Sequence, residues 1–192
     1  MVILEIVLAH LLGDFVFQSN DLIQKKYKSW RGTFEHVCII SAFTALFLFP
    51  FWRYAETWIV VGVIFATHFV QDLLKVEFDL RYNQKKKSTV PFFLDQILHL
   101  SLIAYLSAFF VALEPAALPA WTGDLYFSKY LVIYWMGLVL FSYTFEITLF
   151  QFTRKRSKKT LVFKPNFNSM VRRMLFFSVL YGLFLMVDRS FM

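Results

Sequence analysis

The sequence predicts an all-α protein: a polytopic membrane bundle of about six transmembrane helices. Three observations predict it. The 192 residues are 58% hydrophobic and 20% aromatic, with 25 Phe and only 17% charged residues. A soluble domain averages about 45–50% apolar and about 25% charged. Several apolar runs approach the roughly 20 residues that cross a bilayer. The polar stretches between them alternate between strongly basic and nearly uncharged. Little chain is left for a soluble domain, and one transmembrane domain over residues 1–192 is the simplest organisation.

The first apolar run, Val2 to Phe17, is short for a span. It lacks the basic region and cleavage site of a signal peptide and carries His10, Gly13 and Asp14, so it reads as a retained helix. A polar basic stretch, Gln18 to Thr33, reads as a loop. The second run is Phe34 to Phe51, ended near Pro50, and the third is Thr57 to Leu74. After the polar stretch Lys75 to Val90, Pro91 suits the first turn of a fourth helix, where a missing N–H costs nothing. That helix runs to Leu113 and stops before Glu114 and Pro115. The loop Glu114 to Phe127 leads to the fifth run, Ser128 to Phe152. A basic stretch, Thr153 to Arg173, precedes the sixth, Met174 to Val187. Residues 1–113 thus make a four-helix core, and residues 114–192 add two helices. The single Cys38 excludes an internal disulfide and reads as a small buried hydrophobe.

The basic loops Gln18 to Thr33, Lys75 to Val90 and Thr153 to Arg173 hold four, five and eight Lys or Arg, 17 of the 20 in the chain. The intervening loops hold one, Arg53. The positive-inside rule then places the basic loops in the cytoplasm and both termini outside. Orientation and attraction to anionic headgroups account for the basic runs. Nucleic-acid binding is therefore the weaker reading, even for Arg154 to Lys159.

The ionisable groups inside the apolar runs carry the functional signal. His10 and Asp14, His68 and Asp72, and Asp95 and His99 are each four residues apart, which puts each pair on one helix face. In the expected topology every Asp is shallow and every His lies one turn deeper. His36, at the start of the second helix, joins the shallow level, and Glu146, near the cytoplasmic end of the fifth, can reach it. Gln18, Gln71 and Gln96 are candidates to brace these groups. Ionisable residues in spans are costly and rare without a task. The segments at His10 to Asp14 and His68 to Asp72 are 58 residues apart, and Asp21-Leu22 and Asp79-Leu80 keep that offset. This suggests two parallel hairpins, a repeat known in transport proteins.

Imidazole and carboxylate ligands together suit a divalent transition metal: zinc first, with manganese or iron as alternatives, over magnesium or calcium. The ligand set is His10, Asp14, His36, His68, Asp72, Asp95 and His99, with Asp95 or Glu146 as general base. Such an ion lowers the pKa of water and polarises a phosphoryl or acyl oxygen. Bis-His haem ligation leaves three aspartates unexplained. Each pair can also be a plain hydrogen bond between helices. Glu5 lies on the outer half of the first helix, away from this layer.

The stretch Ala9 to Gln18 (AHLLGDFVFQ), with HFVQDLLK from His68 and LDQILH from Leu94, resembles a family of small bacterial membrane proteins known as domain of unknown function 3307. The resemblance covers the first half of the chain. It implies a bacterial inner-membrane protein and supplies no established activity. More distantly, the spacing is similar to that of membrane-embedded metal-dependent hydrolases and of zinc phospholipases and nucleases with H-x-x-x-D ligands. The resulting expectation is a metal-dependent hydrolase acting on a membrane-associated phosphate or lipid substrate at the cytoplasmic face, with membrane lipids as its partners. Two alternatives use the same residues: a metal-ion or proton transporter, and a structural or assembly protein.

Overall fold

The computed structural model describes residues 1–83, 88–156 and 163–190. These are all-α, with no strand among the described residues. Helix α1 (Val2–Leu11) runs into a π-helical turn, Leu12–Val16. Helix α2 (Asn20–Lys28) leaves it at 85°. Helix α3 is Trp30–Phe47, and a 3-10 turn, Phe49–Phe51, leads to α4, Ala55–Phe78. A second π turn, Asp79–Asn83, ends α4. Helix α5 (Val90–Ser107) carries Pro in its first turn, as expected, and continues into a 3-10 turn, Ala108–Phe110. Then come the short α6 (Ala120–Tyr126) and α7 (Lys129–Val139). A third π turn, Leu140–Thr144, joins α7 to α8 (Phe145–Arg156), and α9 is Phe167–Ser190.

Among the described residues, four helical segments are long and apolar enough to cross a membrane: Ala55–Tyr82, Val90–Phe110, Lys129–Thr153 and Phe167–Val187. The bent pair of α1 and α2 makes a fifth if it counts as one span. The chain is thus multi-pass in character, with four or five such helices where hydropathy runs predict six. The difference has a physical cause. Helix α1 and its π turn cover only 10 and 5 residues, and α3 sets Arg31, Glu35 and His36 among its 18. The outer surface is apolar as a lipid-facing surface must be. Leu175, Phe176, Val179 and Leu183 of α9 are exposed, and so are Trp30, Trp52, Trp58, Trp121 and Trp135.

Helices α2 and α6 fall in stretches that hydropathy reads as loops. The Ser19 side chain accepts a hydrogen bond from the Leu22 N–H and caps α2, which has Asp21 in its first turn and Lys25, Lys26 and Lys28 in its last. That is the capping and dipole chemistry of a helix, independent of hydropathy. Ser29 caps α3 in the same way, through the Arg31 N–H, so α3 begins before Phe34. Cys38 corrects an expectation, because it is exposed. Its neighbours His36, Val37 and Ile40 take the inward positions on α3, and the helical phase turns Cys38 outward. Lys85, Lys86 and Lys87 lie outside the described residues, and so does the run Arg154 to Lys159 beyond Arg156.

Helix α1 packs on α3 and α5, and α4 packs on the same two, closing a four-helix ring. One half of the ring is filled by Ile6, Ile40, Leu48, Val60, Ile64, Ile103 and Leu106. Helix α7 lies against α1, and α9 against α7. Three glycines set close approaches, one of them Gly137 of α7, where a Cβ would lie 2.1 Å from the Phe177 ring of α9. A Cβ on Gly13 would meet Ile40 of α3 at 2.9 Å. A Cβ on Gly32 would lie 2.3 Å from the Lys25 carbonyl carbon and 2.4 Å from the Lys26 amide nitrogen, so α2 rests on α3 backbone to backbone. Gly32→Ala is expected to destabilise the protein by about 1–3 kcal/mol, the usual range for overpacking. It should also open trypsin cleavage at Lys26, which is buried in the native chain. Gly62→Ala, where an added Cβ meets nothing within 4 Å, is the control.

Candidate metal centre

The half of the ring nearest α2 carries the paired residues. Helix α1 and its π turn contribute His10 and Asp14, α3 His36, α4 His68 and Asp72, and α5 Asp95 and His99, all buried. The π turn bears directly on Asp14. The Phe17 N–H bonds the Leu12 carbonyl five residues back at 2.9 Å. Such turns add a residue to the helical circuit and are frequent at functional sites.

Two ligand groups form, Asp14 with His36 and His68, and His68 with Asp72 and His99. Within each group, one ligand atom per residue lies within 4.8 Å of the others, so either group can hold a metal ion. His68 belongs to both. His36 Nε2 donates to Asp14 Oδ1 at 3.0 Å and lies 3.6 Å from Asp72 Oδ2. His68 Nε2 is 3.5 Å from Asp14 Oδ1 and 3.8 Å from Asp72 Oδ2, yet makes no hydrogen bond. Three protein ligands per ion leave a coordination position for water or substrate, as catalytic zinc sites do.

The hydrogen bonds around the imidazoles fix which nitrogens are free. His99 Nδ1 lies 2.7 Å from the Asp95 main-chain carbonyl, which can only accept, so Nδ1 carries the proton. Its Nε2 then presents a lone pair, buried and without a hydrogen-bond partner. A ring nitrogen held this way through its opposite N–H is the usual preparation of a metal-ligating histidine. Gln18 Nε2 donates to His36 Nδ1 at 3.3 Å, the ring nitrogen left without a proton when Nε2 donates to Asp14. Gln96 donates from Nε2 to Asp14 Oδ2 at 3.0 Å, and its Oε1 lies 3.4 Å from His10 Nε2. Gln18 and Gln96 therefore brace the cluster as expected. Gln71 makes no such contact, and its Oε1 is buried without a partner.

His10 and Asp95 belong to neither ligand group. The His10 ring stacks 5.3 Å from His99 and stands 5.6 Å from His68, so it walls the cluster. Asp95 lines a polar chamber of about 260 Å³ next to the ligands. Glu146 is not at the site. Arg173 donates to it at 2.6 Å and the Asn166 N–H at 3.4 Å, and it lines neither the chamber nor a ligand group.

The sequence leaves Lys25, Lys26 and Lys28 open between binding a phosphate headgroup near the site and plain loop solvation, and of the three Lys26 is the buried one, 7% exposed and donating to Asp72 Oδ2 at 2.5 Å. The polar part of the chamber's lining includes Asp14, Asp72 and Asp95, Lys26 and Lys75, and Gln18, Asn20 and Gln24, and apolar residues such as Phe15, Phe92, Ile147 and Phe150 line the rest. The chamber therefore brings two ammonium groups against three carboxylates, beside the candidate ligands. On its other side the cluster is sealed: Ile40, Ile64 and Ile103 abut His10, His68 and His99 around a void of only about 10 Å³.

Glu5, without a role in the sequence, has one in the structure. It is buried in α1 and accepts a hydrogen bond from the Tyr126 hydroxyl of α6 at 2.9 Å. The Phe47 carbonyl is a second acceptor beside the same hydroxyl, so the one phenolic proton is shared between it and Glu5. Burial first, and then the Glu5 carboxylate, raises the Tyr126 phenol above its ordinary range, which keeps it a donor. The pair ties α6 to the ends of α1 and α3, away from the metal centre.

A model of the family described as "Protein of unknown function (DUF3307)" matches residues 2–124. That range contains every residue of the two ligand groups. No curated protein and no solved structure matches the chain.

Proposed function

The chain belongs to the family of proteins of unknown function DUF3307, and for it we propose metal-dependent hydrolysis of a phosphate ester on a membrane-associated molecule, at the cytoplasmic face of a bacterial inner membrane. The observation that carries the reading is the chamber in which Lys26, Lys75 and Asp95 face the side of the ligand cluster formed by Asp14 and Asp72. Asp14, His36, His68, Asp72 and His99 would hold zinc, or alternatively manganese or iron. Bound there, the ion supplies an acidified water and polarises a phosphoryl oxygen. Lys26 and Lys75 suit an anionic group, since charge-assisted hydrogen bonds to phosphate oxygens are short and strong.

The step balances as an in-line displacement. The water oxygen forms the new P–O bond while the ester P–O bond breaks. Asp95 takes a proton from the water and later releases it to solvent, and the departing alcohol oxygen, on the opposite face of phosphorus, takes its proton from solvent, leaving alcohol and inorganic phosphate. The apolar seal of Ile40, Ile64 and Ile103 behind the imidazoles favours this reading over transport, because a conduction path needs polar groups across the outer half.

The test is phosphate release from lipid phosphate monoesters by metal-loaded protein. Asp95→Asn is expected to lower turnover by about 10²–10⁴-fold, the usual contribution of a general base, with metal content unchanged. Glu146→Gln should keep turnover. Full activity in Asp95→Asn removes the assigned base. Absence of turnover on every phosphate ester by metal-loaded protein overturns the function.

A further inference from the structure

Beside the polar chamber lies a second, larger cavity of about 750 Å³ between α4 and α5. Two apolar stripes form its walls. Leu74, Phe78 and Tyr82 succeed one another at four-residue spacing along α4 and its π turn, and Val90, Leu94 and Leu98 do the same on α5. Side chains at that spacing share a face. All six are exposed, at 47–65% of their surface, so the groove opens onto the outside of the bundle, where the bilayer is. Its polar residues are Gln71, Lys75, Ser88 and Asp95. Lys75 and Asp95 also line the polar chamber. The two cavities therefore meet at these two side chains, one apolar and open sideways, the other charged and beside the candidate metal ligands.

We propose that this groove holds the hydrocarbon chain of a lipid phosphate monoester, whose phosphate turns inward past Lys75 into the chamber. The inference rests on the hydrolase reading and deepens it, by assigning the substrate class and its lateral route from the bilayer. Three observations select this occupant. The walls are apolar along two full stripes, which suits a chain and not a sugar or nucleotide. Lys75 lines both cavities, its ammonium 4.0 Å from the Asp79 carboxylate, and it is the cation that an anionic head would meet at the junction. Gln71 Oε1 is buried there without a hydrogen-bond partner, placed to accept from the P–OH of a singly ionised phosphate monoester. The volume falls within the roughly 300–1,000 Å³ of small-molecule sites.

The experiment uses full-length protein in nanodiscs of neutral lipid, with a trace of phosphatidic acid bearing a photoactivatable group in its acyl chain. After irradiation, mass spectrometry locates the labelled residues. Labelling is expected on α4 and α5, reduced by excess unlabelled phosphatidic acid and unchanged by phosphatidylcholine or free inorganic phosphate. Leu98→Trp, which fills the groove, should lower it by about tenfold, equivalent to about 1.4 kcal/mol. Leu180→Trp, on the exposed face of α9, should leave it unchanged and controls for folding. Labels spread over α9, or competition by inorganic phosphate, would overturn the groove assignment, as would full labelling in Leu98→Trp. Turnover is read separately: specific labelling without phosphate release supports the groove and overturns the hydrolase.

Discussion

His68→Ala is expected to strip the protein of its metal. His68 is the residue shared by the two ligand groups, so its loss leaves Asp14 with His36 on one side and Asp72 with His99 on the other. Neither remainder is a three-ligand site. Its Nε2 lies within 3.5 Å of Asp14 and 3.8 Å of Asp72 and has no hydrogen bond that would otherwise occupy it. Loss of residues that only orient a ligand costs about 10–100-fold in affinity, so removal of a shared ligand should exceed about 100-fold. His10→Ala is the contrast. His10 lies outside both groups and touches the cluster through Gln96 and ring contacts, so metal should be retained with affinity lowered within that 10–100-fold range. The measurement is metal content of detergent-purified protein by inductively coupled plasma mass spectrometry, after reconstitution with zinc. Equal metal in wild type and His68→Ala would place the ion elsewhere. Absence of metal in the reconstituted wild type would return the paired residues to helix–helix hydrogen bonding.

Lys26→Met should make folding depend on the metal. The Lys26–Asp72 pair is buried, with side chains 6% and 3% exposed. Removing one partner of a buried ion pair strands the other charge and costs about 3–5 kcal/mol. Met keeps the apolar stem of Lys and removes the ammonium. Asp72 would then lack its cation in chelator, and a divalent ion on the Asp72 group would replace it. Thermal unfolding with chelator is expected to show a large loss of stability in Lys26→Met, and zinc should recover most of it. The wild type should gain less from zinc, because Lys26 already neutralises Asp72. Equal stability of the two proteins in chelator would show that α2 is held without this pair, by its contact at Gly32 and by the Tyr27–Asp79 and Lys25–Glu35 bonds.

The paired residues were legible because their signal is local. An Asp four residues from a His in an apolar run fixes a shared helix face, and three such pairs converge once the chain folds back and forth. Gln18 and Gln96 were legible for the same reason, being polar and adjacent to the pairs. The rest depended on information that hydropathy does not carry. Helix α2 is polar, so a hydropathy reading sees a loop, although Ser19 and Asp21 at one end and the lysines at the other encode a capped helix. Lys26 hides between Lys25 and Lys28, and only its four-residue step from Leu22, the other buried residue of α2, separates it from the solvated face. Glu5 finds Tyr126, and Glu146 finds Arg173, across 121 and 27 residues. No pattern in the sequence joins those partners. The chamber and the groove between α4 and α5 are products of packing and have no local signature.

The π turn at Leu12–Val16 makes the centre a matter of counting as well as chemistry. Each residue of an α-helix advances the circuit by about 100°, so the one surplus position in this turn sets the bearing of everything before it relative to everything after it. Among diverging copies of this chain, substitution of one aliphatic residue for another in the first helix would be nearly silent. The gain or loss of a single residue there would swing His10 and Asp14 out of step with each other while leaving every side chain needed for ligation still encoded. Selection on this segment therefore acts on its length, and insertions or deletions between His10 and Gln18 should be far scarcer than changes of letter.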